Sequence, residues 1–233
     1  MINSSRLKRA ARHLLGYITA IRRRARSMIT RKTQPRFASA GSGLVIEPPY
    51  YVRNPGRMYL GNDVKIGPNS VLKAKTKHAI KAPNPPEREN GEQRFAPMLR
   101  IGDRVTATAM LRVTVYHRVT IDDDVMLGAN VYIADGTHCT RRGDVPYSLQ
   151  GIDRVAPVYI GPGAWIGQNV VIMPGVTIGA MAVVGANSVV TRDVAAGFVV
   201  AGAPARPIRS WDAQQERWCR EPRQLAARSP STT

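Results

Sequence analysis

From Ile160 onward an aliphatic residue returns at every sixth position: Ile160, Ile166, Ile172, Ile178, Val184 and Val190. Glycine follows four of them, as Gly161, Gly167, Gly179 and Gly185. A helix repeats every 3.6 residues and a half-buried strand every two, so neither produces this period. A solenoid does, if each six-residue rung makes one flat face and then turns a corner. Three rungs close a triangular coil of about eighteen residues, with one aliphatic side chain per rung filling the interior. Small residues or Asn permit the tight corners, including positive φ. Successive coils then pair as parallel strands about 4.8 Å apart. A β-sandwich would instead show period-two alternation with irregular turns. The rungs predict about five to six coils, and the general rule for parallel crossovers predicts right-handed winding.

The period begins earlier, at Leu60-Gly61, Ile66-Gly67 and Leu72. Residues 73–98 break it with a polar, proline-rich stretch, read as a loop insertion at a corner and a candidate overhang for a binding site. It resumes at Ile101-Gly102 and Ala107, slips by two residues near Val113–Val115, and continues through Ile121, Leu127 and Ile133. A second insertion covers 139–157. The expected organisation is a basic amphipathic helical segment over 1–36, a linker over 37–56, a solenoid over 57–209, and a C-terminal tail over 210–233, helical at best. Within 6–29, Leu7, Ala11, Leu14, Ile18, Ile21, Ala25 and Met28 form a heptad seam covered by arginines. That helix would cap the solenoid, form a short coiled coil between subunits, or lie on anionic lipid.

Charge sharpens this picture. The chain of 233 residues carries a net +18. Residues 1–36 supply eleven of those charges (Arg6, Lys8, Arg9, Arg12, Arg22, Arg23, Arg24, Arg26, Arg31, Lys32, Arg36) and contain no acid. An anionic membrane surface or another polyanion is thus sought there first. Nucleic acid is disfavoured, because the segment offers only Tyr17 for base stacking. Two cysteines, Cys139 and Cys219, give no disulfide framework or zinc-thiolate site and fit a reducing cytoplasm. Export is not expected: the apolar stretch 14–21 runs into Arg22-Arg23-Arg24, not a cleavage site.

Several stretches together resemble the hexapeptide-repeat acyltransferases, in particular the galactoside/maltose O-acetyltransferase and xenobiotic acetyltransferase branch. They are Val158-Tyr-Ile-Gly161, Trp165-Ile-Gly167, Val171-Ile-Met-Pro-Gly-Val-Thr-Ile-Gly179, Val184 to Asp193, Val200-Ala-Gly-Ala-Pro-Ala-Arg206, and Val125 to Ile133 followed by Thr137-His138. The resemblance covers about residues 100–209. It implies an all-β, left-handed parallel β-helix, a homotrimer with active sites between adjacent subunits, and acyl transfer from acetyl-CoA to a hydroxyl or amine.

That reaction needs a base to deprotonate the acceptor, and histidine suits it. His13 and His78 are expected to be solvated, and His117 lies at the irregular rung. His138, at the mouth of the second insertion, matches the family's catalytic histidine and is the candidate base. Asp135, Asp144 or a backbone carbonyl would orient it. An acyl-enzyme on Cys139 is disfavoured, since the family transfers directly. The resemblance assigns Arg192 and Arg206 to coenzyme A, with Arg209 at the same end, and Ala186 and Thr191 to the pantetheine arm. On the acceptor side stand Trp165, Tyr116 and Asn130. Tyr116 replaces an acidic acceptor-contacting position, and Thr108 replaces an asparagine. The fold also resembles γ-type carbonic anhydrase, but the second histidine of that site is here Asp122, so no metal is expected.

The resulting expectation is a cytoplasmic, acetyl-CoA-dependent O-acyltransferase acting on a sugar or glycan in cell-surface polysaccharide or glycolipid synthesis. A peripheral position at the inner membrane face would use residues 1–36. N-acylation of an amino sugar is the rival chemistry, and a polyanion-binding solenoid the non-enzymatic one.

Overall fold

A computed structural model describes residues 35–80 and 91–220. Three sheets wrap a single apolar core. The first face stacks Ser39–Ala40, Met58–Leu60, Met98–Ile101, Arg118–Ile121, Val158–Ile160 and Thr177–Ile178. The second stacks Val45–Ile46, Lys65–Ile66, Thr106–Ala107, Met126–Leu127, Trp165–Ile166, Val183–Val184 and Phe198–Gly202. The third stacks Tyr50–Arg53, Ser70–Ala74, Arg112–Val115, Tyr132–Ala134, Val171–Ile172 and Val189–Val190. All these neighbours pair in parallel, with each inward residue above its counterpart: Leu127 against Ile166, Ile133 against Ile172, Ile160 against Ile178. The result is a left-handed β-helix. The crossover rule does not apply, because it rests on twisted strands feeding a packed helix; these rungs are short and no α-helix occurs among the described residues.

The glycine after the aliphatic residue now has a physical cause. The first corner residue lies against the backbone of the next coil, and a Cβ at Gly167 would stand 2.6 Å from the Ala186 nitrogen. At Gly67 it would fall on the Thr108 carbonyl oxygen. A second corner position turns through the left-handed region. Asn130, Asn169 and Asn187 hold φ of 57°, 57° and 60°, a conformation Asn tolerates better than most residues. Their amides stack, Asn130 Nδ2 donating to Asn169 and Asn169 Nδ2 to Asn187, at 3.1 and 2.9 Å.

Every departure from the six-residue step occurs at the corner between the third and first faces. Ile178 follows its stacking partner Ile160 by eighteen residues, but Ile121 follows Ile101 by twenty. Asn62 and Asp103, hydrogen-bonded across consecutive coils, are 41 residues apart, and Asn130 and Asn169 are 39. The slip near Val115 is the pair Tyr116-His117. The two long insertions emerge from the same corner as hairpins, Lys77–Ala79 with Glu92–Arg94 and Thr137–His138 with Ile152–Asp153.

Three boundaries differ from expectation. Residues 37–56 are not a linker but the first coil, with Ile46 fully buried and Phe37, Leu44, Tyr50 and Val52 packed on the core. A coil needs only one inward residue per face, so prolines and glycines at its corners mask it. Residues 73–74 complete a solenoid strand. Residues 210–220 are not helical: Ala205–Asp212 folds back antiparallel on Phe198–Gly202 and pairs with Arg217–Arg220. This hairpin satisfies the edge that the last coil would otherwise expose. The basic segment 1–36 lies outside the described residues except at its end, as does 221–233. Among the described residues no helix is long and apolar enough to cross a membrane.

Gly67→Ala should lower the urea midpoint, at a cost of about 2 kcal/mol or more, because the added methyl strikes the Thr108 carbonyl of the next coil, beside the Ala107 carbonyl that accepts from Gly67 N–H. Gly56→Ala, with open space around it, should not lower the midpoint when both are followed by circular dichroism.

Candidate active site

The two hairpins meet through His78 and His138, and the second lines a cleft of about 340 Å³ beside the third face. Lys73, Lys75, Thr114, Tyr116, Tyr132, Gly136, Thr137, His138 and Ile152 line it. Its floor is the outward side of three consecutive strands, in which Lys73 aligns with Thr114 and Thr114 with Ala134. A larger recess, about 510 Å³, lies on the first face around Tyr59, Arg100 and Asp103 but carries no histidine.

His138 is exposed at the cleft mouth, on a strand pinned from both sides. It aligns with Ile152 across its own hairpin, and Cys139 N–H donates to the Gly151 carbonyl at 3.0 Å. The first hairpin supplies the second clamp. Gln93 accepts from Ile152 N–H at 2.7 Å and donates to the Ile152 carbonyl at 3.0 Å. Gly151 is required there, with φ +80° and no room for a Cβ beside the Gln93 amide. Gln93 aligns with His78, whose ring meets that of His138 edge to face at 5.4 Å.

His78 is thus not solvated, as its place in a polar loop suggested. It is half-buried, and its Nε2 is buried without a hydrogen-bond partner. Burial, aided by the neighbouring His138 and Lys75, lowers its pKa from 6.5. Burial, with Arg53 and Lys73, likewise lowers that of Lys75.

Neither expected carboxylate orients His138. Asp135 is fully buried and faces the other way, into the corner at 116–118. It accepts N–H bonds from Tyr116, His117 and Arg118, each at 2.7 Å. Burial pushes its carboxyl upward against those three donors. Asp144 pairs with exposed Arg142, and Asp153 with Arg141. The Asp135 bonds hold Tyr116 in the cleft wall, where it is buried and packs edge to face on Phe95 at 5.0 Å. Burial raises the Tyr116 pKa, with smaller contributions from Tyr132 and Asp135.

Of the other candidates, Thr191 and Arg192 follow Val189–Val190 and occupy the insertion corner, two coils beyond the strand that leads to His138, or about 10 Å along the axis. Ala186 is exposed at the opposite edge of the third face. Arg206 and Arg209 lie on the terminal hairpin, Arg206 donating to the Ala205 carbonyl at 2.9 Å. Trp165 projects from the second face, 49% exposed, between Met126 and Val183, and does not line the cleft. Asn130 belongs to the corner ladder and not to the cleft. Lys73, Lys75, Thr114 and Tyr132 were missed in the sequence. The signal for the lysines was period two, since Lys73 and Lys75 continue the outward positions of a strand. Among the described residues no cluster of three His, Cys, Asp or Glu could hold a metal.

Comparison with known proteins agrees with this architecture. The bacterial transferase hexapeptide (six repeats) profile matches residues 157–192, and the hexapeptide repeat of succinyl-transferase matches 118–138. A chain of Escherichia coli K12 named for lipopolysaccharide-biosynthesis O-acetyl transfer (WbbJ) is 28% identical over 180 residues, 75% of this chain and 82% of that one. The galactoside O-acetyltransferase of the same organism is 38% identical over 119 residues, 49% of this chain and 55% of that one. A galactoside acetyltransferase structure with coenzyme A superposes with a TM-score of 0.51 at 25% identity, covering 81% of this chain and 70% of that one. Several curated relatives are matched over only about half of their length or less, 42% to 57% for three of them.

Two predictions follow from the geometry. Asp135→Asn offers one acceptor oxygen where three N–H groups converge, and should cost about 2 kcal/mol in denaturant unfolding. The His78 imidazole should titrate below 6.5 by NMR, and its midpoint should rise in His138→Ala, which removes a like charge beside it. The same shift makes stability fall as pH drops below 6.5, because the unfolded chain then binds the proton that folded His78 resists. In its repeats and its coils the chain is a hexapeptide-repeat solenoid, and it is similar to the hexapeptide-repeat acyltransferases.

Proposed function

We propose that this protein transfers an acyl group from a coenzyme A thioester, acetyl-CoA foremost, directly to a sugar hydroxyl, with His138 as general base. The observation that carries the reading is an exposed histidine clamped at the mouth of a cleft, on the corner line that also bears Thr191 and Arg192. His138 takes the hydroxyl proton as the oxygen attacks the thioester carbonyl. The tetrahedral adduct then collapses, the C–S bond breaks, and the imidazolium returns its proton to the departing thiolate. Arg192, Arg206 and Arg209 would bind the phosphates of coenzyme A, and Ala186 and Thr191 would flank its pantetheine arm. Three copies would assemble so that the Trp165-bearing second face of one copy closes the cleft of the next. That arrangement accounts for an exposed tryptophan on a flat sheet remote from the histidine. The acceptor would belong to a cell-surface glycan, consistent with the name of the WbbJ relative.

Thiol release from acetyl-CoA in the presence of hydroxyl and amino-sugar acceptors tests this. His138→Ala should lower kcat by about 10² to 10⁴ with KM for acetyl-CoA little changed. Arg206→Ala should do the reverse, raising that KM about tenfold for the loss of roughly 1.4 kcal/mol. Transfer only to amines makes the enzyme an N-acyltransferase, and full turnover in His138→Ala removes the enzymatic role assigned to this cleft.

A further inference from the structure

The acceptor side of the cleft is built from cations. Arg53 aligns with Lys73 across consecutive coils, Lys73 and Lys75 project from one strand and its extension, and His78 and His138 stand above them. The Lys73 ammonium lies 5.8 Å from the centroid of the Tyr51 ring, which supplies a π face and no charge. Among the described residues no carboxylate is ion-paired with Lys73, Lys75 or Arg53. The nearby acids are already engaged: Asp135 by three backbone N–H groups, Glu92 by Lys77 and Arg94, Asp153 by Arg141. Lys73 and Lys75 are half-buried, so their proximity is weakly screened. Beside them the buried Nε2 of His78 has no partner, and folding rarely leaves such an atom unsatisfied without a reason.

We infer that the acceptor is an anionic sugar, whose carboxylate or phosphate is received by Lys73 and Lys75 while its hydroxyl meets His138. This deepens the acyltransferase reading and rests on it. The lysines come from the second coil and the Thr191–Arg192 corner from the sixth, on opposite sides of the loop that bears His138. An anion at the lysines is thereby separated from donor phosphates bound at the far corner, and the two negative ligands approach the base from opposite directions. Neutral sugars would forfeit this interaction and leave the lysine pair mutually repelled.

Binding and turnover are measured with the methyl glycosides of glucose and glucuronic acid and with glucose 6-phosphate, using the full chain. Calorimetry should show glucuronide or phosphate binding at least tenfold tighter than glucoside, weakening with added salt. In Lys73→Met/Lys75→Met the preference should fall to near unity, whereas Lys73→Arg/Lys75→Arg should keep it. Thermal melting of each variant checks folding. The carboxylate and phosphate arms decide which anion the cleft takes. Equal or tighter binding of the glucoside, or a preference that survives the methionine pair, overturns the inference even where acyl transfer is intact. Charge-selective binding without thiol release from acetyl-CoA instead retains the anion site and discards the acyltransferase reading. Absence of binding by all three sugars overturns the inference.

Discussion

The backbone ladder between coils governs everything else in this molecule. Each rung donates and accepts along the axis, as in Gly161 N–H to the Ile178 carbonyl at 2.7 Å and Gly167 N–H to the Val184 carbonyl at 2.8 Å. A coil therefore cannot change the length of a face without breaking its pairing with both neighbours. Nor can it place bulk where backbones touch, which is why Gly167 and Gly67 carry no side chain. Freedom is confined to the corners, and here to one of the three. The first two corners keep their spacing in every coil, while the third absorbs two residues near Val115 and two hairpins elsewhere. Function collects where the ladder permits variation.

That permission alone would leave floppy loops, and the structure shows what prevents it. The corner at 116–118 is held by a buried carboxylate accepting three N–H groups, an arrangement able to offset the burial of Asp135. The hairpins are joined by the Gln93 amide, which pairs with both backbone groups of Ile152 as a strand neighbour would. His138 thus rides on an element that behaves as an extension of the sheet. A histidine positioned this way needs no carboxylate on its ring to fix the main-chain origin of its side chain.

How far the sequence could be read follows from the same physics. The aliphatic period reports inward residues, and inward residues are shared by every coil, so Ile160 to Val190 announced the solenoid. The first coil was hidden because Val45–Ile46 and Tyr50–Arg53 are short and flanked by proline. The terminal hairpin was hidden because its side chains are mostly exposed, and without one buried face neither helix nor strand periodicity emerges. The cleft was half legible. His138 was found from its local motif. His78, Lys73 and Lys75 were not, since what joins them to His138 is a stacking relation across 60 residues or more and a clamp made by one glutamine. Asp135 was noticed for the wrong reason: its proximity in sequence suggested the histidine, but its burial committed it to the backbone of the preceding coil.

The placement of charge gives the cleft a direction. The insertion corner runs parallel to the solenoid axis, so residues on it are ordered by coil: lysines first, then Tyr116 on the third coil, then the His138 loop, then Thr191 and Arg192. A solenoid converts sequence order into distance at about 4.8 Å per coil, and the four coils from the lysines to Arg192 span roughly 19 Å. Two anionic ligands can therefore be held by the same protein without meeting except at their uncharged reacting ends. An acid at the Tyr116 position would oppose that arrangement. A buried tyrosine there preserves a polar hydroxyl without adding negative charge, and its raised pKa keeps the phenol neutral. A neutral phenol at Tyr116, beside lysines that pair with no carboxylate among the described residues, leaves this part of the cleft without a negative charge of its own.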